Sequence, residues 1–183
     1  MIFVLGLSGV GKTSTSDELG KKYSLRHIDM DHSNSFKRIG LPNEWDADIQ
    51  QVDFALLADN VRSCLKDEDR GVILSFPTVH RFTRNQFDSA AAYGIRVVIL
   101  WGLFKCCARV RRERQEARKK GPPSARRYQR LNNPTFEMYS HAAYDRYRVW
   151  TLDANCSHRS YEDILADITA CIADQGAELA LDA

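Results

Sequence analysis

The chain has 183 residues, enough for one domain with a sizeable core but too few for two ordinary domains and a linker, so we predict a single domain over 1–183. Apolar residues make up 44% and charged residues 27%, and no apolar run approaches the roughly 20 residues that span a bilayer, which excludes a disordered or membrane-inserted chain. The formal charge of +2 conceals a basic segment at 105–130, with eleven lysines and arginines against two glutamates, which either meets an anion or forms a solvated helix face.

Strand-like and helix-like patterns alternate along the chain. Short apolar runs typical of strands occupy 2–6, 26–30, 71–76, 95–101 and 148–153. Helical spacing occupies 12–22, 48–66, 80–93, 104–119, 136–145 and a last segment that begins after Ser160, a candidate N-cap, and ends before Gly176. The alternation predicts an α/β fold with a parallel sheet. Residues 31–47 fit neither pattern, and 120–134, rich in Gly, Pro and Arg, is interpreted as a mobile flap.

The N-terminal run and the cysteines indicate the compartment. "MIFVL" has no basic leader and runs directly into a glycine-rich loop, which disfavours a signal peptide. The five cysteines form an odd set with one adjacent pair and no C-x-x-C spacing, which is typical of neither a disulfide framework nor a zinc site. We therefore expect inert thiols, a cytoplasmic location and no membrane partner.

A phosphate-binding loop follows the first strand. "GLSGVGKT", residues 6–13, satisfies G-x-x-x-x-G-K-[ST] between a predicted strand and a predicted helix. Glycines let successive amides turn inward around a phosphate, and the positive end of the helix faces the same oxygens. Lys12 would bridge the β- and γ-phosphates, and the Thr13 hydroxyl would coordinate Mg²⁺. The predicted cofactors are ATP and Mg²⁺, and the predicted nucleotide contacts are Ser8, Gly9, Val10, Gly11, Lys12, Thr13 and Ser14.

The acidic groups separate classes of nucleotide-binding protein. Motors and switches usually carry an aspartate at the end of a later apolar strand, but "GVILSFP" ends in Ser75 and Phe76. Two carboxylates instead follow the second strand, at Asp29 and Asp31 in "HIDMDH". Residues two apart in an extended segment point to the same side, so both would project beside the loop. One could hold the magnesium shell through water while the other accepts a proton from an attacking hydroxyl, which favours phosphoryl transfer to an alcohol.

These motifs, taken in order, resemble the small P-loop metabolite kinases, a group that includes gluconate kinases, shikimate kinases and, more distantly, adenylate kinase. The resemblance to gluconate kinases rests on "DMDH" followed by "KRIGLP" (37–42), on "HRFTRN" (80–85), close to K-R-x-x-R-[DN], and on "LWGLF" (100–104) before an arginine-rich helix. His80 stands where the pattern has lysine, and Ser33 where it has proline. The G-G-G turn and R-P lid sequence of shikimate kinases are absent, so gluconate is one candidate acceptor and shikimate is disfavoured.

The resemblance implies a five-stranded parallel sheet flanked by helices, a substrate-binding insert at about 31–66 and a mobile, arginine-bearing lid at about 109–134. By position, Asp31 would be the general base, or a ligand of the substrate hydroxyl, and Asp29 the indirect metal ligand. Arg81 and Arg84 would contact the substrate. Of the lid arginines, Arg112 and Arg114 are predicted to act on the transferred phosphoryl group.

The sequence thus predicts a kinase that phosphorylates a hydroxyl of a small polar metabolite, either sugar-acid-like or a natural-product alcohol, and acts as a monomer or homodimer. One alternative is a nucleoside, nucleotide or polynucleotide 5′-hydroxyl kinase, because tyrosines accompany the basic flap. A nucleic-acid partner is disfavoured, because the rest of the chain is net acidic and tyrosines spaced like Tyr139 and Tyr144 are typical of a helix core. A non-enzymatic nucleotide-dependent switch is the second alternative.

Overall fold

A computed structural model describes residues 1–32, 35–39, 52–118 and 124–176. The five strands are β1 (Ile2–Gly6), β2 (Leu25–Asp29), β3 (Gly71–Ser75), β4 (Arg96–Trp101) and β5 (Arg148–Trp150). They form one parallel sheet in the order β2-β3-β1-β4-β5. The predicted five-stranded parallel α/β fold is confirmed, because each apolar run is a strand within three residues of its expected ends.

Helices connect the strands: α1 (Lys12–Tyr23), α2 (Ser35–Arg38), α3 (Phe54–Ser63), α4 (Arg84–Ala91), α5 (Phe104–Ala117), α6 (Ala125–Ser140), a 3₁₀ helix (Ala142–Tyr147) and α7 (Tyr161–Ala173). Ser160 caps α7 as predicted, since its side chain accepts a hydrogen bond from the amide of Asp163. Within the described residues, no helix is both long enough and apolar enough to cross a membrane.

The sheet separates two hydrophobic cores. Successive residues of β1 alternate between them, with Phe3 and Leu5 in one core and Ile2 and Val4 in the other. α3, α4 and the 3₁₀ helix cover the first face, and α1, α5 and α7 cover the second. A sheet buried on both faces leaves the carboxyl ends of its strands as the edge where polar side chains can gather.

The segment 120–134, which was interpreted as a mobile flap because it fits neither pattern, is helical from Ala125 onward and forms the start of α6. The helix contains Pro134, yet it buries one face made of Tyr128, Asn132, Thr135 and Tyr139. These residues recur at helical spacing, and their packing offsets the amide that proline lacks. Tyr139 and Tyr144 are core residues, as expected.

Two predicted regions fall partly outside the described residues. The substrate insert at 31–66 is described at 31, 32, 35–39 and 52–66, where α3 begins at Phe54 rather than at 48. The lid at 109–134 is described except for 119–123.

Candidate active site

The loop between β1 and α1 forms a cradle in which three positions require glycine. Gly6, Gly9 and Gly11 have φ angles of 134°, 103° and 85°. A Cβ on Gly9 would lie 2.3 Å from the carbonyl oxygen of Cys107, and one on Gly6 would lie equally close to that of Leu100. The positive φ angles and the close backbone contacts make glycine necessary here and hold the loop against α5 and β4.

Lys12 folds back over this loop. Its Nζ donates to the carbonyl oxygens of Gly6 and Leu7, both at 3.0 Å. Burial lowers the pKa of Lys12 from its ordinary 10.5 to about 8, although the carboxylates of Asp31 and Asp29 oppose that shift. The ammonium group is therefore held at the cradle in a setting where added negative charge would stabilise it.

Asp29 joins the end of β2 to the start of α1. Its Oδ2 accepts a hydrogen bond from the Thr13 hydroxyl at 2.9 Å, and its Oδ1 accepts one from the Asp31 amide at 3.0 Å. These bonds fix Asp29, while Asp31 is exposed. The oxygens of Thr13 and Asp29 fit Mg²⁺, which takes one or two carboxylates and the phosphates of its substrate. The described residues include no group of three or more His, Cys, Asp or Glu that could hold a metal ion.

A cavity of about 440 Å³ brings these groups together with basic side chains. Its floor is the P-loop with Asp29 and Asp31, and one wall is 75–79 at the end of β3. The lining also includes arginines of α5, of its C-cap and of α6, namely Arg111, Arg114, Arg118 and Arg127. The cavity therefore has an acidic edge on the sheet and a basic edge on the helices, an arrangement suited to a phosphate chain and its metal.

Most of the predicted nucleotide contacts line this cavity: Ser8, Gly9, Gly11, Lys12, Thr13 and Ser14. Val10 is fully buried, and its carbonyl accepts a hydrogen bond from the Thr151 hydroxyl at 2.9 Å, so its side chain belongs to the core. A glycine-rich motif does not by itself distinguish residues that face the phosphate from one that anchors the loop.

The predicted lid arginines divide between two faces of α5. Arg114 lines the cavity, whereas Arg112 is not among the described residues that do. Arg111 and Arg118 share the face of Arg114, at spacings of three and four residues along the helix. Helical spacing in the sequence already places Arg111 and Arg118 on the face of Arg114, but Arg112 was predicted instead of Arg111 as the second arginine to act on the phosphoryl group.

The predicted substrate arginines lie elsewhere. Arg84 pairs with Asp88 at 2.8 Å and sits over the ring of Tyr147 at 4.9 Å. Arg81 is partly buried, and neither arginine is among the described residues that line the cavity. Their contact with a substrate stays a prediction.

Helix α6 grips the P-loop at one residue, Ser8, a contact that the sequence did not reveal. The amide of Ser8 donates to Asn132 Oδ1 at 2.8 Å, and the hydroxyl of Tyr128 donates to the carbonyl of Ser8 at 3.1 Å. Asn132 is fully buried and also donates to the carbonyl of Tyr128 at 2.9 Å. The residues that position the loop therefore lie about 120 positions away, in the segment interpreted as a flap.

The 151–160 loop closes the other side of the P-loop. His158 packs against Gly11, with its Cε1 3.2 Å from where a Cβ would stand, and burial lowers the pKa of His158. A disulfide joins Cys106 to Cys156, which corrects the expectation of inert thiols for these two of the five cysteines. α5 follows β4 and this loop follows β5, so neighbouring strands bring the two cysteines together. The cytoplasmic location and the oligomeric state stay predictions.

The parallel sheet, the P-loop and the acidic strand end define a P-loop protein with the nucleotide-kinase-like fold. The family model described as "AAA domain" matches residues 1–132, and the chain belongs to that family. The search of curated proteins gave no match.

Solved structures give the same fold. A gluconokinase from Sinorhizobium meliloti 1021 has a TM-score of 0.55 at 17% identity, with 94% of this chain and 91% of that chain covered. A shikimate kinase from Aquifex aeolicus has a TM-score of 0.51 at 17% identity, with 96% and 97% covered. A shikimate kinase from Bacteroides thetaiotaomicron has a TM-score of 0.51 at 13% identity, with 96% and 98% covered. The predicted resemblance to small P-loop kinases is confirmed at the level of fold.

Proposed function

We propose that the protein is a Mg-ATP-dependent phosphotransferase that transfers the γ-phosphate to a hydroxyl of a small polar metabolite. The observation that supports this is a single cavity lined by the P-loop, the exposed carboxylate of Asp31 and the arginines of α5 and α6. A phosphate cradle with an exposed carboxylate beside it provides both requirements of transfer to an alcohol, a held phosphate and a proton acceptor.

Each residue has one task in this proposal. The amides of the cradle and Lys12 bind the phosphates, while Arg114 and Arg111 stabilise charge on the transferred group. Asp31 accepts the proton of the acceptor hydroxyl, because its carboxylate is exposed while its backbone is fixed by Asp29. Thr13 and Asp29 would hold magnesium, which when bound neutralises phosphate charge.

The acceptor is proposed to be sugar-acid-like or a natural-product alcohol. An assay of ADP formation would test this with sugar acids, nucleosides, aminoglycoside-type alcohols and a 5′-hydroxyl oligonucleotide. We expect ADP to form only when magnesium and a small acceptor are both present. Phosphate release without any acceptor would indicate a switch, and labelling of oligonucleotide ends would indicate a polynucleotide kinase; either result contradicts the proposal.

Matched variants test the proton acceptor and the phosphate ligand. Asp31→Asn should lower kcat/KM by about 10²-fold or more, the usual contribution of a positioned base. Asp59→Asn is its control, because Asp59 is an exposed partner of Arg62 on α3. Lys12→Met should abolish transfer, whereas Lys22→Met, an exposed lysine of the same helix, should not. Normal transfer by either purified site variant would contradict the assigned roles.

The lid is tested at two arginines that lie two positions apart on α5, of which only Arg114 is seen to line the cavity. Arg114→Gln should lower kcat by about 10²- to 10³-fold, because this side chain lines the cavity. Arg112→Gln tests the prediction that Arg112 also acts on the transferred phosphoryl group, at a residue that is not among the described residues that line the cavity. A larger loss at Arg112 than at Arg114 would show that the face of α5 has been wrongly assigned.

A further inference from the structure

Three side chains form a hydrogen-bonded chain at the acidic edge of the cavity. Asp17 Oδ1 lies 2.6 Å from His27 Nδ1, and His27 Nε2 lies 2.8 Å from Ser75 Oγ. The side chain of His27 is 10% exposed and Ser75 is 1% exposed, whereas that of Asp17 is 51% exposed. This hydrogen-bonded network thus runs from the surface of α1 through β2 to the end of β3. It has no role in the phosphoryl transfer described above.

Ser75 occupies a particular place in the sheet. It is the last residue of β3, it is paired in register with Asp29 on β2, and it lines the 440 Å³ cavity together with Thr13. Asp17 and His27 also line a second cavity of about 320 Å³ that shares Thr13 and Asp29 with the first. In P-loop motors and switches the strand end beside the loop carries an aspartate that serves the magnesium site. This chain has a serine at that kind of position.

The hydrogen-bond network sets the direction of the serine hydroxyl. An aspartate carboxylate only accepts hydrogen bonds, so the Nδ1 atom of His27 carries the proton toward Asp17. In the tautomer with its proton on Nδ1, the Nε2 atom is an acceptor, and the Ser75 hydroxyl donates to it at 2.8 Å. In that arrangement the proton of Ser75 is directed at His27, and Ser75 Oγ keeps its lone pairs for a donor on the cavity side, such as a metal-bound water.

The same residue types form the catalytic triad of hydrolases, but the surroundings of Ser75 differ from that site. A triad serine attacks an exposed carbonyl and needs donors for the resulting oxyanion. Ser75 is almost fully buried and is the register partner of the acidic Asp29. A negative neighbour opposes an oxyanion but favours a cation.

We propose that Ser75 replaces the strand-terminal aspartate and accepts a hydrogen bond from the hydration shell of the magnesium ion that accompanies ATP. His27 and Asp17 are positioning residues that fix the direction of the Ser75 hydroxyl. The inference rests on the proposed function, because it requires the cradle to bind Mg-ATP.

The test measures how strongly magnesium tightens ATP binding. Calorimetric titration of the full chain with ATP, in Mg²⁺ and in EDTA, gives two dissociation constants whose ratio is the magnesium linkage. Ser75→Ala should reduce this ratio about fivefold, which corresponds to the loss of one net hydrogen bond. The dissociation constant in EDTA should stay within about twofold of wild type, since the amides of the cradle are untouched.

A second variant avoids the core. Asp17→Ala removes a half-exposed carboxylate and leaves Ser75 and His27 in place, so it should lower the linkage in the same direction but by less. The matched controls are Ser63→Ala, an exposed serine bonded to the carbonyl of Asp59, and Asp167→Ala, whose side chain is 47% exposed. Both controls should keep the wild-type ratio.

Three results would overturn the inference. One is an unchanged linkage in both Ser75→Ala and Asp17→Ala. Another is an equal loss of ATP affinity with and without magnesium, which would mean that the Asp17–His27–Ser75 network maintains the shape of the cradle and does not serve the magnesium ion. The third is wild-type binding that magnesium does not tighten. Failure of the proposed function is distinguishable from these results: it appears either as no binding of ATP by wild type under both conditions or, with ATP binding intact, as no acceptor-dependent formation of ADP.

Discussion

Because the ammonium group of Lys12 is buried, the free energy of unfolding should depend on pH, and the substitution Lys12→Met isolates this dependence. An unfolded lysine keeps its proton up to a pH of about 10.5, whereas the pKa of folded Lys12 is lowered to about 8 by burial. Between these values the unfolded chain binds one more proton than the folded chain. The free energy of unfolding therefore rises with pH in this window, by about 1.4 kcal/mol per unit and by about 3 kcal/mol in total.

Lys12→Met should remove this dependence. The experiment is denaturant unfolding of wild type and Lys12→Met at intervals from pH 7 to 10, with the difference in unfolding free energy plotted against pH. Other buried groups act in the opposite sense, since burial raises the pKa of Cys107 to about 12 and of Cys171 to about 11. Both proteins contain these thiols, so their contribution cancels in the difference.

The difference in unfolding free energy between wild type and Lys12→Met should be constant below pH 8. Above pH 8 it should change in favour of wild type by about 1.4 kcal/mol per pH unit. Lys22→Met is the control, and its difference from wild type should show no such break near pH 8 because Lys22 is exposed. A constant difference for Lys12→Met across the whole pH range would refute the claim that burial lowers the pKa of Lys12.

The same argument applies to the ligand. Phosphate oxygens beside Lys12 favour its protonated form, so ATP binding above pH 8 should take up a proton and weaken by at most about tenfold per pH unit. Titrations in two buffers of different ionisation enthalpy would detect that proton. Binding at pH 9 without proton uptake would contradict the placement of Lys12 against the phosphates.

Three further perturbations test the surroundings of the loop. Gly9→Ala would place a Cβ 2.3 Å from the Cys107 carbonyl oxygen at a φ angle of 103°, and should cost about 1–3 kcal/mol in thermal or denaturant unfolding while weakening ATP binding. Asn132→Ala leaves the Ser8 amide without its described acceptor, and should cost about 1–3 kcal/mol of unfolding free energy; a loss below 0.5 kcal/mol would mean that water replaces the amide. Cys156→Ser opens a disulfide that spans 50 positions, and should cost about 4 kcal/mol, with wild type in reductant falling to the same melting temperature.

The sequence was sufficient for the sheet and the cradle because both depend on local patterns. The central strands β1, β3 and β4 are short apolar runs buried on both faces, and the spacing of Gly6, Gly11 and Lys12 is fixed by the geometry of one loop. The proximity of Asp29 to Thr13 also followed from a local rule, since parallel strands end at the same edge of the sheet.

The contacts that could not be predicted from the sequence are long-range and polar. Residues 128, 132, 135 and 139 repeat at helical spacing, but two of the four are Asn132 and Thr135, so the stripe does not look apolar. Both are buried because each bonds a distant backbone group, Asn132 at Ser8 and Thr135 at the Thr78 carbonyl. Helical periodicity of buriable residues, rather than of apolar ones, would have identified α6 despite Pro134.

The two edges of the cavity rest on different parts of the fold, and this difference has a consequence for kinetics. Lys12, Asp29 and Ser75 belong to strand ends or to the helix start beside them, where sheet pairing fixes the backbone. The arginines stand on α5 and α6, and α6 is linked to the loop by its two hydrogen bonds to Ser8, while α5 approaches the loop at Gly9. Substitutions at the strand ends should therefore change nucleotide affinity with and without acceptor. Loosening the grip on Ser8 should instead lower kcat, because it changes where the arginines stand relative to a cradle that still binds ATP.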